Sequence, residues 1–210
     1  MSLAKVGFSK PRLFVDSSNV DTIEYLGLPT VRRESNIRPM GHWLLSLWEL
    51  FIRNPKADRY ALFQDDILCC ANLKAYLEQW YPPCGYLNLI TWPKNVDDSA
   101  SQGWYKALQP GKGGQGLVFD RETVEILLVQ KRLVKKFQER LNSHQALDGA
   151  VYEAMKNAGY SEWVHNPSLL YHTGAKGKTS IKGDHRKQPL ITSFLGENFN
   201  PLTIPRRSQK

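Results

Sequence analysis

The chain has 210 residues, with 28 Lys and Arg against 20 Asp and Glu, a net charge of +8 and a pI near 9.4. At 41% hydrophobic and 23% charged, with six Trp, its composition supports a folded core without disulfide or metal staples and excludes a disordered chain. There is no apolar run of membrane-spanning length and no signal-peptide core, and three cysteines (Cys69, Cys70, Cys84) are too few for a disulfide framework, so a reducing, cytoplasmic location is expected.

In chain order, Pro11-Arg-Leu-Phe-Val-Asp16 predicts a short buried strand ending in an acid, and residues 16–36 are polar and turn-rich. Residues 41–53 are apolar enough for a buried helix, stopped by Asn54-Pro55. Residues 60–64 read as a second strand running into Asp65-Asp66, residues 72–79 as a short helix and residues 85–92 as another strand. Residues 94–114 show no periodicity and read as a long mobile loop. A strand over 115–119 leads to a long helix over 121–141, then a helix from an N-cap at Ser143 to Asn157 closed by Gly159. Residues 163–171 form a last predicted strand around Pro167, and the Pro-punctuated chain after Arg186 is expected to wrap the surface or be disordered. This alternation indicates an α/β domain with a largely parallel or mixed sheet.

The charge is unevenly placed. From Thr173 to Lys210, eight basic residues face two acidic ones, which is +6 of the +8. A second cluster (Lys131, Arg132, Lys135, Lys136, Arg140) falls on the predicted long helix and reads as its solvated face.

The sharpest local feature is Phe63-Gln64-Asp65-Asp66-Ile67. Adjacent carboxylates repel, and at the end of an apolar strand they suit a hard divalent ion completed by substrate phosphates; the competing reading is a turn in which Asp66 caps the next helix. A nucleotide-binding glycine loop does not accompany them. Gly111-Lys-Gly-Gly-Gln-Gly116 fits G-x-G-x-x-G but leads into a strand, whereas the dinucleotide fingerprint opens a helix. Gly177-Lys178-Thr179 lacks the first P-loop glycine, since His172 stands there. His172 ends an apolar strand and opens a segment holding Lys176, Lys178, Thr179 and Ser180. That composition suits a loop around a phosphate, although a strand-end histidine also has structural uses. The remaining histidines and the cysteines show no zinc spacing.

Together, four segments resemble the GT-A-type glycosyltransferases, over roughly residues 10–181. Arg12-Leu-Phe-Val-Asp16 resembles the strand before the acidic motif, and Leu62-Phe-Gln-Asp65-Asp66-Ile67 resembles the motif itself. His144-Gln-Ala-Leu-Asp148 resembles a helix start carrying an acceptor-side acid. Asn166-Pro-Ser-Leu-Leu-Tyr-His172-Thr-Gly resembles the P-S-L-x-x-H-x-G segment of bacterial members and of the N-acetylglucosaminyltransferase-IV-like group.

The resemblance implies a GT-A-like mixed, mainly parallel sheet flanked by helices over residues 1–185, with a basic C-terminal tail over 186–210. It implies sugar transfer from a UDP- or GDP-sugar to a hydroxyl acceptor (glycan, protein or modified nucleic acid) with Mn²⁺ or Mg²⁺. Asp66 and His172 would hold the metal, with Asp65 assisting it or the ribose, and Asp16 would contact the nucleotide. Lys176, Lys178 and Ser180 would hold the diphosphate, and Asp148 would be the catalytic base. Trp92, Trp104 and Tyr105 are candidate acceptor platforms, with core packing as the other reading for Trp92. Two departures stand out. Gln64 replaces the usual first acid of the motif, and only Met1 to Ser9 precede the region of the first strand, so the fold is expected to be N-terminally abbreviated. The alternative is a non-catalytic nucleic-acid- or polyanion-binding domain that uses the basic C-terminal third.

Overall fold

A computed structural model describes residues 2–15, 27–34, 37–79, 85–97, 99–131, 133, 147–173 and 193–205. Its centre is a five-stranded sheet ordered β3-β7-β5-β8-β6, built from β3 (Arg59–Phe63), β7 (Gly116–Asp120), β5 (Gly85–Asn88), β8 (Ser161–Asn166) and β6 (Gly103–Lys106). The sheet is mixed and flanked by helices, but it is not mainly parallel. Only β5–β8 runs parallel, while β3–β7, β7–β5 and β8–β6 are antiparallel. Hydrophobic patterning marks strands without giving their direction, which is decided by tertiary pairing. Two small sheets lie beside it: parallel β1 (Leu13–Val15) with β2 (Thr30–Arg32), and antiparallel β4 (Ile67–Cys69) with β9 (Leu170–His172).

Alternation along the strands divides the core in two. Tyr60, Leu62, Tyr86, Leu117 and Phe119 face α2 (Arg38–Arg53), α4 (Arg121–Leu128) and α5 (Leu147–Asn157). Trp43 and Leu47 of α2 are buried there, with Trp43 edge-on to Phe119 and Phe119 stacked on Tyr86. The opposite phase, Leu87 and Val118, meets α1 (Ser2–Lys5), α3 (Leu73–Gln79) and the β4–β9 pair. Cys69 and Cys70 are buried thiols in this second core, and burial pushes Cys70 up to about 12, so it packs as a small apolar group. Residues 193–205 also contribute here: Phe194, Phe199 and Leu202 pack against the same cluster, and the Ala71 N–H donates to the Phe199 carbonyl. This stretch therefore wraps the second core, with Pro201 and Ile204 buried and its other residues half-buried or exposed. The domain boundary expected at 185/186 lies outside the described residues.

Three further expectations are corrected. The long loop over 94–114 contains edge strand β6, and Asn95 secures its base, its side chain accepting from the Gln109 N–H and its carbonyl from the Tyr105 hydroxyl. Gly-Trp-Tyr-Lys carries no alternation of its own, so the open edge of β8 decides that it is a strand. The helix after Asp120 is interrupted by a turn at Val129–Gln130 and is helical again at Lys131 and Leu133, with Leu133 in the core; residues 134–146, including Ser143 and His144, lie outside the described ones. The single strand expected over 163–171 is two, β8 and β9, because Pro167 has no N–H to continue a ladder. Gly159 closes its helix as expected, and Asp120 caps α4 in addition. The Asp120 side chain accepts from the Thr123 N–H, and Gly159 (φ 86°) closes α5 with Gly159 N–H to Lys156 C=O and Tyr160 N–H to Met155 C=O, a Schellman motif.

His165, fully buried in β8, illustrates how the second core handles polarity. Its Nδ1–H donates to the Pro167 carbonyl at 2.6 Å, which leaves Nε2 to accept the Tyr76 hydroxyl at 2.6 Å. Burial pushes the imidazole down to about 4 from 6.5. The unfolded chain therefore takes up this proton at higher pH than the folded one, and stability falls as pH drops from 6.5 towards 4. Urea unfolding is expected to show a loss on the order of 2 kcal/mol from this residue between pH 7.5 and 5. The loss is measured as the part of the slope that His165→Gln removes, and an identical slope in that variant refutes it.

Candidate functional site

Strand register places one end of the sheet at the centre of the chemistry. Phe63, the last residue of β3, pairs with Gly116, the first of β7, and Asn88, the last of β5, pairs with Leu117. Asn166, the last of β8, pairs with Gly103, the first of β6. Residues 64–66, 89–92, 111–115 and 167–169 therefore gather at one edge.

Asp66 and His172 meet there. The link from β8 crosses the end of β5, where the Leu169 and Leu170 N–H groups both donate to the Leu89 carbonyl and Ser168 accepts from the Thr91 N–H. It then runs antiparallel to β4 with Ile67 opposite His172. The His172 Nε2 lies 2.8 Å from Asp66 Oδ2, and Thr173 donates to the Asp66 carbonyl through its N–H (2.7 Å) and its hydroxyl (2.9 Å). The Asp66 side chain is 38% exposed and that of His172 11%, so the pair opens to solvent from the carboxylate side. Neighbouring Asp65 is exposed. The helix-capping reading of Asp66 is replaced by this cross-strand pairing, since the residues that follow are β4 and α3 begins only at Leu73.

As a metal site the pair is incomplete by itself. Among the described residues no group of three His, Cys, Asp or Glu side chains stands together. One carboxylate and one imidazole fit a divalent ion whose remaining positions come from substrate phosphates and water, as Mg²⁺ and Mn²⁺ accept.

Asp148 stands in the first turn of α5, half-buried. Its Oδ2 accepts from the Gly113 N–H at 2.8 Å and its Oδ1 from the Gly149 N–H at 3.0 Å. Each carboxylate oxygen can accept a second hydrogen bond, so capacity for a proton remains. The loop holding Gly113 continues to Gln115, whose carbonyl accepts from the Gln64 N–H beside Asp65. One short segment thus links the acidic motif to Asp148.

The aromatic candidates separate. Trp92 is half-buried beside this loop, its ring 3.6 Å from where a Cβ on Gly113 would lie. Trp104 packs in the second core, stacked on Tyr76 and edge-on to His165. The Tyr105 hydroxyl is committed to Asn95, and burial pushes it up to about 12. Asp16, Lys176, Lys178 and Ser180 lie outside the described residues, as do Cys84 and all eight basic residues after Thr173.

Sequence reading passed over Glu162. It is 3% exposed and accepts from the Tyr86 hydroxyl (2.5 Å), the Gly111 N–H (2.8 Å) and Asn88 Nδ2 (3.1 Å). Burial raises its carboxyl and also raises the Tyr86 phenol, which the neighbouring Glu162 charge pushes further. The available signal was its phase: Glu162 alternates with buried Val164, so an acid stands at an inward strand position.

No family model matches the chain, and no curated protein matches it. Among solved structures, A197 from STIV is 14% identical, with a TM-score of 0.42 and coverage of 95% of this chain and 98% of that one. The inositol-1-phosphate CTP transferase from T. maritima is 14% identical, with a TM-score of 0.45 and coverage of 78% and 72%. Likenesses of that size assign no family. No helix among the described residues is long and apolar enough to cross a membrane.

Proposed function

We propose that the chain is a metal-dependent glycosyltransferase that moves a sugar from a nucleotide-diphosphate donor to a hydroxyl acceptor. One observation carries this reading: Asp66 and His172, 106 residues apart, are brought to 2.8 Å at the end of the sheet that also presents Asp148. In the simplest displacement the acceptor oxygen bonds to the anomeric carbon, the bond from that carbon to the diphosphate breaks, and Asp148 takes the acceptor proton. Asp66 and His172 would hold Mn²⁺ or Mg²⁺, which supplies neutralisation of the charge developing on the departing diphosphate. Half-buried Trp92 would stack on a sugar ring.

The direct experiment is a thermal-shift screen of UDP- and GDP-sugars with and without Mn²⁺. A metal-dependent rise in melting temperature with at least one donor is expected. No rise with any donor, together with salt-sensitive binding to DNA, favours the polyanion-binding alternative. For Asp148, substitution to Asn removes the base while keeping an acceptor oxygen for Gly113. Turnover of the responsive donor should drop by about 10²-fold or more with KM little changed. Unchanged turnover removes Asp148 as the base.

A further inference from the structure

The geometry points to Glu162 as the residue that positions Asp148, acting through the glycine loop between them. Its bearing on catalysis rests on the reading of Asp148 given above, but the clamp itself does not.

Three consecutive residues are each gripped from a different element. The Gly111 N–H donates to Glu162 on β8 (2.8 Å), the Lys112 carbonyl accepts from Asn88 on β5 (2.7 Å), and the Gly113 N–H donates to Asp148 on α5 (2.8 Å). Gly111 (φ 74°) and Gly113 (φ 84°) take conformations that disfavour a side chain, and a Cβ on Gly111 would stand 3.1 Å from Tyr152 Cβ. Successive backbone N–H groups in such a loop make an anion cradle, as in phosphate-binding loops. Here the anions are two of the chain's own carboxylates, and the Lys112 side chain is left in solvent.

The Glu162 carboxylate meets only donors: a phenol, an amide and a backbone N–H. It is therefore held as an ionised acceptor, and three hydrogen bonds offset the cost of burying it. The groups around it are Tyr86 on β5, Asp148 and Tyr152 on α5, and Lys112 of the loop; the Asp148 charge raises the Glu162 carboxyl further. A proton on Glu162 neutralises the acceptor and weakens its hold on the Gly111 N–H, so the loop should let go of β8 more readily and, with it, fix Asp148 less firmly.

The test needs no donor sugar. In wild type, NMR should show the Gly111 and Gly113 amide signals moving together as pH falls, with a midpoint above the ordinary glutamate value of 4.5. Glu162→Gln keeps the shape but turns an NH₂ towards a donor. Native-state trypsin cleavage after exposed Lys112 at pH 7.5 should then accelerate roughly 10-fold or more, and the Gly113 amide should shift although Asp148 is intact. Tyr86→Phe keeps the carboxylate and removes one donor, so the loop should stay closed at pH 7.5 and open at a higher pH than in wild type. Wild-type cleavage in Glu162→Gln, or an unmoved Gly113 amide in that variant or in the wild-type titration, overturns the proposal. If these results hold while no nucleotide sugar binds, the clamp stands and the transferase reading falls.

Discussion

Asp66→Ala is expected to abolish metal-dependent stabilisation by a nucleotide sugar and to lower donor turnover by at least about 10²-fold, the scale of losing one group that stabilises transition-state charge. The reason is the sparseness of the site. Two side chains converge there, and among the described residues no third His, Cys, Asp or Glu joins them. His172→Ala should cost about 10- to 100-fold, because the carboxylate remains to hold the ion. The stability effect should be small: the Asp66–His172 contact is partly exposed, and a hydrogen bond of this kind contributes about 1 kcal/mol. Melting temperature without ligand thus separates a lost site from a lost fold. An Asp66→Ala protein that still shows the full Mn²⁺-dependent shift would refute this site.

Gly85→Ala is expected to be the most damaging small substitution for stability. Gly85 starts β5 with φ 144°, and a Cβ there would stand 2.2 Å from the Ser161 carbonyl oxygen and 2.8 Å from the Trp163 ring. The oxygen belongs to the backbone of β8, which is paired in parallel with β5 at this position, so it cannot move aside as a flexible side chain would. Overpacking and backbone strain together should cost about 3 kcal/mol or more, lowering the melting temperature by roughly 6 °C or more for a chain of this size. Gly149→Ala is the control. Its Cβ meets nothing within 4 Å in helix α5, so alanine should be neutral or stabilise by about 0.5–1 kcal/mol. Equal melting temperatures for the two variants would contradict the β5–β8 register.

Much of the local structure was legible because it depends on local chemistry. Asn54-Pro55 follows α2 and Gly159 closes α5 where the side chains predict. The strands at 59–63, 85–88 and 116–120 announce themselves by apolar runs between breakers. The misses share one cause. β2, β4 and β6 are short segments whose strand character comes from a neighbour, and the turn after Leu128 is set by where Leu133 finds a core.

The same division applies to the site. Asp66, His172 and Asp148 could be picked out by residue type and by their positions at element ends, and their partners could not. That His172 reaches Asp66 follows from β9 pairing with β4 after the chain crosses β5. That the rejected G-x-G-x-x-G segment is an anion cradle after all, for Glu162 and Asp148, follows from β5, β8 and α5 meeting around it.

Length, composition and apolar patterning alone determined that this chain folds as a helix-flanked α/β domain, and most of the side chains that are chemically unusual in it, Glu162 excepted. Strand direction, the grip on the glycine loop and the company of each carboxylate were decided by tertiary structure. Pairing and burial join residues far apart in the chain, and no local propensity encodes such contacts.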